Sequence, residues 1–533
     1  MKQQTKKIMG ALVSLLMVLA LIPVGAGAAP NTPLPATGSL TITKYVTNDK
    51  SGFTTTDAYP ENGTQLSGTP AGATALGGIT FKLYKVTISP DANGAYPQSP
   101  IVTWDSYLNP TKITDTEGVI FDVTPAGSVT TATDGTGSIN TGQIAQGVYY
   151  VVEQPDPRVT APSDPFVVAV PMVDPADQSS WLDPVFVYPK NETLTVTKTV
   201  NKPSASVGDT VTFSITAGIP SDLASTTGYK IIDTLPAGLT YKSVDSVLAA
   251  TTVAGLASGA NLAGLYAVTT AANATDPTAT DITITPSGPV ATAGTGLAKL
   301  VADSDRFIQI TITATVNKDI LDAAQNNTVT NSAVINFTNK FNDPYTSTEA
   351  TAAVHTGTID IKKVDQNGDP LAGAEFHIAL TEADAKAGNF LKLDSNGNVI
   401  DPSEAAAYAT ATDWKATSTV NSDGDAVATF AGLADYTGTT PGYNTYWVVE
   451  TKAPATYNLL PAPVKITFDN TAVESNNYTL TTTVANNKGF ILPLTGEMGI
   501  LIFTIAGVAL LGVAILLVVN GKKHKGAHSA TIK

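Results

Sequence analysis

Three lysines, three carboxylic acids and three asparagines stand in phase with apolar residues along strand-like stretches of this chain. Leu40-Thr41-Ile42-Thr43-Lys44 alternates apolar and polar side chains and ends on a lysine in the apolar phase. Leu194-Thr195-Val196-Thr197-Lys198 repeats the pattern, and Ile359-Asp360-Ile361-Lys362-Lys363 does so through Lys363. Side chains two apart share one face of a strand, so Lys44, Lys198 and Lys363 are expected to point into a core. A buried ammonium without a partner is costly. Partners of the right kind lie downstream in the same phase. Glu153 follows Tyr149 and Val151, Asp233 follows Ile231, and Glu450 follows Tyr446 and Val448. Asn191 is in phase with Val185 and Val187, Asn331 with Val329, Ala333 and Ile335, and Asn486 with Val484.

Lysine, acid and asparagine facing one apolar core can form an amide bond between the lysine and the asparagine with loss of ammonia. Burial lowers the affinity of the amine for its proton and raises that of the acid, so a neutral amine attacks while a neutral acid polarises the amide carbonyl. Fixed contact supplies effective molarity, worth roughly 7–11 kcal/mol of barrier in well-oriented cases. Glu153, Asp233 and Glu450 would shuttle the proton. The expected pairs are Lys44–Asn191, Lys198–Asn331 and Lys363–Asn486, each joining the first and last strands of its domain.

Such groups need rigid strands to hold them. The 533-residue chain is rich in Thr, Ala, Val and Gly, and only 14% of its residues are charged. That suits several β-rich domains. Strand-like alternation dominates Ser39 to Asn486, broken by Gly, Pro, Asn and Asp clusters. Cysteine is absent, although an exported chain is allowed disulfides. Internal amide bonds would serve in their place.

The two ends indicate export. Lys2, Lys6 and Lys7 precede an apolar run from Ile8 to about Leu21, and Ala26-Gly27-Ala28 follows. This is the order of a secretory signal peptide, residues 1–28. Met498 to Asn520 is nearly all apolar, enough for a bilayer span of about 20 residues. The tail carrying Lys522, Lys523 and Lys525 is expected to stay cytoplasmic. Outside these ends the body is strongly acidic, which disfavours nucleic acid as a partner.

Leu492-Pro493-Leu494-Thr495-Gly496 stands just before the apolar span. Motif, span and basic tail together resemble the sorting signal of Gram-positive wall proteins. The resemblance implies that a sortase cysteine attacks the Thr495 carbonyl, releases Gly496 onward, and yields the thioester to an amine. Pro493 keeps the segment extended, as a reading groove requires.

Other stretches point to the same group. YWVVETKAPATY, Tyr446 to Tyr457, resembles the E-box of sortase-assembled backbone pilins, departing at Val448, where Leu is usual, and Thr456, where Gly is usual. KVDQNGDPLAGAEF, Lys363 to Phe376, resembles the opening of a B-type Ig-like domain of collagen-adhesin stalks. YYVVEQPDP is a weaker E-box, and IIDTLPAGLTY resembles an A-type segment that supplies Asp233. Trp181 to Asn191 resembles the pilin motif around Tyr188-Pro189-Lys190. The resemblance makes Lys190 the amine that attacks the Thr495 thioester of the next subunit. Strand parity puts Lys190 opposite to Asn191, on the face of Phe186 and Tyr188.

The expectation is an all-β chain of three tandem Ig-like β-sandwiches, flanked by the signal peptide and a transmembrane sorting helix. The domains are 29–191 (B-type), 192–354 (A-type) and 355–491 (B-type), with the sorting region at 492–533. The resemblance implies a structural pilus subunit at the cell wall and surface. Its partners would be sortase, identical subunits head to tail, tip and base pilins, peptidoglycan and a possible host receptor. The chain would be a sortase substrate rather than an enzyme. A monomeric wall-anchored adhesin for a matrix protein or glycan is the alternative. No cofactor or metal is expected. The loop Asp394 to Asn398 has a displaced glycine and Ala405 where a calcium loop needs its glutamate. Asp365 to Asp369 reads as a hairpin turn. Only His355 and His377 lie in the exported body, in no nucleophile motif, and zinc lacks ligands.

Overall fold

A computed structural model of the chain describes residues 33–48, 62–70, 72–87, 97, 101–259, 261–322, 324–436, 442–469, 471–472 and 474–488, with 507–508, 510–515 and 517. The signal peptide, the Leu492–Gly496 motif and most of the apolar span lie outside the described residues. Positions 507–508, 510–515 and 517 are helical. No helix among the described residues is long and apolar enough to cross a membrane. The chain is all-β in its body and divides into two compact units, one running to His355 and the other starting at Thr356.

The first unit contains two sandwiches. In the first, a six-stranded sheet runs in the order Phe166–Val170, Gly147–Glu153, Thr80–Thr87, Ile120–Thr130, Lys112–Thr114, Thr103–Trp104. Two three-stranded sheets complete it, one centred on Leu40–Thr43 and the other on Tyr45–Thr47. Both pair in parallel with the end of the domain: Val185–Val187 joins the former and Lys190–Glu192 the latter. Alternation predicts one buried face per strand, yet Val148 to Glu153 is buried on both. Tyr149 and Val151 belong to a core with Leu40, Ile42, Phe81 and Val187. Tyr150 and Val152 join a second core with Ile113, Phe121 and Val123. The continuous apolar run YYVV is the local cause, as in any strand covered on both sides.

The second sandwich sets a four-stranded sheet, Val196–Val200, Thr210–Gly218, Phe307–Val316, Leu239–Ala250, against one that contains Thr227–Leu235 and Thr328–Thr338. Bonds between the first and last strands of every sandwich are expected from the sequence, and here the structure differs. Asn331 lies on Thr328–Thr338, and the later strands Pro344–Thr346 and Ala350–His355 both pair with that strand. The chain folds back onto its own sheet because Tyr345 and Val354 are apolar and need cover. Lys198 and Asn331 therefore belong to opposite sheets.

Within this unit the turn after Thr338 reaches the first sandwich. Asn339 accepts from the N–H groups of Phe341 and Asp343 and donates to the carbonyl of Thr160, 3.2 Å away. Lys340 pairs with Asp164 at 2.5 Å, and the Phe341 ring stacks on Tyr107 with centroids 4.2 Å apart.

In the second unit, Gly357–Asp365 is flanked by Ala426–Leu433 and, in parallel, by Thr479–Asn486. The facing sheet runs Lys415–Thr417, Glu375–Ala379, Thr445–Lys452, Val464–Thr467. Ile359, Ile361, Phe376, Phe430, Tyr446 and Val448 meet between them. The unusual Thr456 sits in a turn in which Tyr457 N–H donates to Pro454, with φ of 74°. That is the position at which a type II turn favours glycine, and a β-branched residue is strained there. Thr456→Gly is expected to stabilise this unit by about 0.5–1 kcal/mol, after the entropy that glycine adds to the unfolded chain. A thermal melt showing no gain or a loss would contradict it.

Candidate functional site

Each sandwich buries the lysine, the acid and the asparagine that the sequence places in its apolar phase. In the first, Lys44 lies between two short strands and is fully buried. Its Nζ is 2.6 Å from Glu153 Oε2, while Asn191 Nδ2 donates to Glu153 Oε1 at 2.5 Å. The Phe81 ring lies under the ammonium, 5.9 Å from centroid to nitrogen. The carboxylate thus bridges the amine and the amide. Asn191 pairs with Val46, two residues beyond Lys44. Asn486 pairs with Asp365, two residues beyond Lys363. The same offset between parallel neighbours brings lysine and asparagine together in the first and third sandwiches.

In the middle sandwich Lys198 Nζ contacts Asp233 Oδ2 and donates to the Ser332 carbonyl at 3.1 Å. Neither polar atom of the Asn331 side chain has a well-formed hydrogen bond, and its amide is fully buried beside them. Burial pushes the Asp233 carboxyl up against the pull of Lys198, and it pushes the Lys198 amine down against the pull of Asp233. Opposite displacements favour the neutral amine with the neutral acid.

In the third sandwich Asn486 Nδ2 is 2.8 Å from both oxygens of Glu450. Lys363 Nζ donates instead to the carbonyls of Val364 and Val484, at 3.1 and 3.2 Å. Burial lowers the Lys363 amine, opposed by Glu450 and Asp365. The Oδ1 atoms of Asn191 and Asn486 are buried without a hydrogen bond. A buried acceptor of this kind carries a desolvation cost until a donor such as a protonated acid meets it.

Sequence reasoning missed the groups that hold the acids. Ser163 donates to Glu153 Oε2 from its N–H at 3.1 Å and its hydroxyl at 2.6 Å. Leu460 N–H donates to Glu450 Oε2 at 3.0 Å. Both stand ten positions after the acid. That shared spacing, each residue next to a proline, is the only sequence signal.

Lys190 lies on the final strand of the first sandwich, partly exposed, beside the buried Asn191. Tyr188, two residues earlier, is buried: its ring stacks on Tyr45 and its hydroxyl accepts from Leu66 N–H at 2.7 Å. Thr495 and its motif lie outside the described residues. Asp394 accepts from the N–H groups of Asn396 and Asn398, and Asp365 from those of Asn367 and Asp369, so both acids close their own turns.

Comparison with known proteins adds three family matches. Residues 35–192 match the Gram-positive pilin subunit D1, N-terminal domain. Residues 357–483 match the SpaA prealbumin-like fold domain, and 485–526 match the LPXTG cell wall anchor motif. The fimbrial subunit type 1 of Actinomyces viscosus is 26% identical over 548 residues, covering 95% of each chain. The fimbrial subunit type 2 of Actinomyces naeslundii is 26% identical over 555 residues, covering 96% of this chain and 95% of its own. Among solved structures, the full-length major pilin SpaD from Corynebacterium diphtheriae is 22% identical, with a TM-score of 0.49 over 85% of this chain and 97% of its own.

Proposed function

We infer that this chain, a Gram-positive pilin with an LPXTG cell-wall anchor, is a backbone subunit polymerised through Lys190 and Thr495. The observation that carries the assignment is the split between neighbours on one strand. Asn191 is buried against Glu153, whereas Lys190 is partly exposed at the edge of the same domain. In this reading the buried residue serves an internal bond and the partly exposed one reaches a neighbouring subunit. A sortase thioester at Thr495 would be resolved by the Lys190 amine of the next subunit, joining identical copies head to tail. Tip and base pilins, and a host receptor, would complete the fibre.

The three buried sets support internal bonds Lys44–Asn191, Lys198–Asn331 and Lys363–Asn486. In each, Nζ adds to the asparagine Cγ, the Cγ–Nδ2 bond breaks, and ammonia leaves with a proton relayed by Glu153, Asp233 or Glu450. Each bond lowers the mass by about 17 Da. Two measurements on purified fibres test the assignment. A digest should contain a peptide linking Lys190 to Thr495, and the released subunit should lack three ammonia equivalents. A polymer linked through another lysine would overturn the first part, and an unmodified mass would overturn the second.

A further inference from the structure

We propose that the Ser163 loop, clamped by the Asn339–Phe341 turn of the following sandwich, positions Glu153, so the Lys44–Asn191 bond forms faster once the second sandwich has docked. The proposal rests on the internal-bond assignment above. Glu153 Oε2 accepts from Lys44 Nζ and from both donors of Ser163, leaving Oε1 to Asn191. In the third sandwich, among the described residues, a backbone N–H takes the place of the Ser163 pair, and both oxygens of the acid face Asn486. Ser163 is therefore what turns one carboxylate oxygen toward the lysine and the other toward the amide. In that pose Oε2 takes the lysine proton and the same carboxyl delivers it to the departing ammonia. A hydroxyl also suits both states of the acid, since it donates to a carboxylate and accepts from a carboxylic acid.

The loop carrying Ser163 has its own restraints. Thr160 accepts from Asn339 and Asp164 pairs with Lys340. Tyr107, which holds the Glu153 main-chain carbonyl at 3.0 Å, is stacked on Phe341. Three of the contacts around the acid thus end on one turn of the next sandwich. Chain order then sets reaction order: the first domain is made first, but its acid is aligned later.

The test is a time course of the full chain made by cell-free synthesis, with digestion and quantification of each cross-linked peptide. Ser163→Ala is expected to slow Lys44–Asn191 formation about tenfold, the effect of one hydrogen bond to a charged group. Ser163→Thr should restore the rate. Phe341→Ala should slow the same bond about fivefold, the value of one aromatic stack. The Lys198–Asn331 and Lys363–Asn486 products should appear at unchanged rates in all variants, which also shows that those sandwiches have folded. An unchanged or faster Lys44–Asn191 rate in Ser163→Ala, or a Ser163→Thr chain as slow as the alanine, overturns the role of Ser163. An unchanged rate in Phe341→Ala overturns the clamp. Absence of the Lys44–Asn191 peptide from the unaltered chain would instead remove the first-domain bond itself.

Discussion

Changing Lys190 to alanine should abolish high-molecular-weight ladders while leaving export, monomer abundance and the three internal mass losses unaltered. The backbone of Lys190 pairs with Tyr45, and a side chain is not needed for that pairing. Its partly exposed position means that truncation opens no core cavity. Asn191, next to it, keeps its contact with Glu153. Lys190→Arg separates charge from nucleophilicity. The guanidinium keeps the positive charge and the reach, but it stays protonated and does not attack a thioester. Both variants should therefore appear as wall-anchored monomers on a denaturing gel of cell-wall extracts. Ladders that persist in either would place the polymer bond on another amine. A monomeric adhesin would show no ladders even in the unaltered chain.

Strand period made much of the site legible. Two residues per repeat fixes which side chains share a face, so Lys44, Lys198, Lys363 and their acids could be placed inward from local sequence alone. Pairing between strands far apart in sequence is not encoded in that period. This is why Asn331 was expected on a final strand, although two further strands add to its sheet. The two-sided burial of Val148 to Glu153 was hidden for a related reason. A continuous apolar run reveals that something covers both faces, but not what. Ser163 and Leu460 approach their acids across irregular loops, where no period operates. Thr456 could be noticed as unusual, and its positive φ gives the physical reason. The contact of Phe341 with Tyr107 depends on how two sandwiches meet, and neither segment alone signals it.

Glu450→Ala is expected to have the largest effect on stability. Asn486 would lose the group that its Nδ2 meets at 2.8 Å on both oxygens, and Lys363 would lose the acid that most strongly opposes the lowering of its amine. The third bond should then fail, and the mature chain should be about 17 Da heavier relative to the fully cross-linked form. Closing a loop of over about a hundred residues is worth roughly 4–5 kcal/mol in the chain-entropy account. Lys363, left as a buried amine on the carbonyls of Val364 and Val484, adds a further desolvation cost. The melting transition of the second unit should fall by roughly 12–15 °C at about 3 °C per kcal/mol.

A pH series distinguishes this cause from a simple packing defect. In the variant Lys363 remains a titratable amine, lowered by burial from its ordinary value of 10.5. Between the lowered value and 10.5 the folded chain binds fewer protons at this site than the unfolded chain. Stability must therefore rise with pH across that interval. In the cross-linked chain the same nitrogen is an amide and cannot titrate, so this contribution to the slope is absent. A Glu450→Ala chain that still lacks the third ammonia, or whose melting shows the same pH slope as the unaltered chain, would remove Glu450 from the reaction.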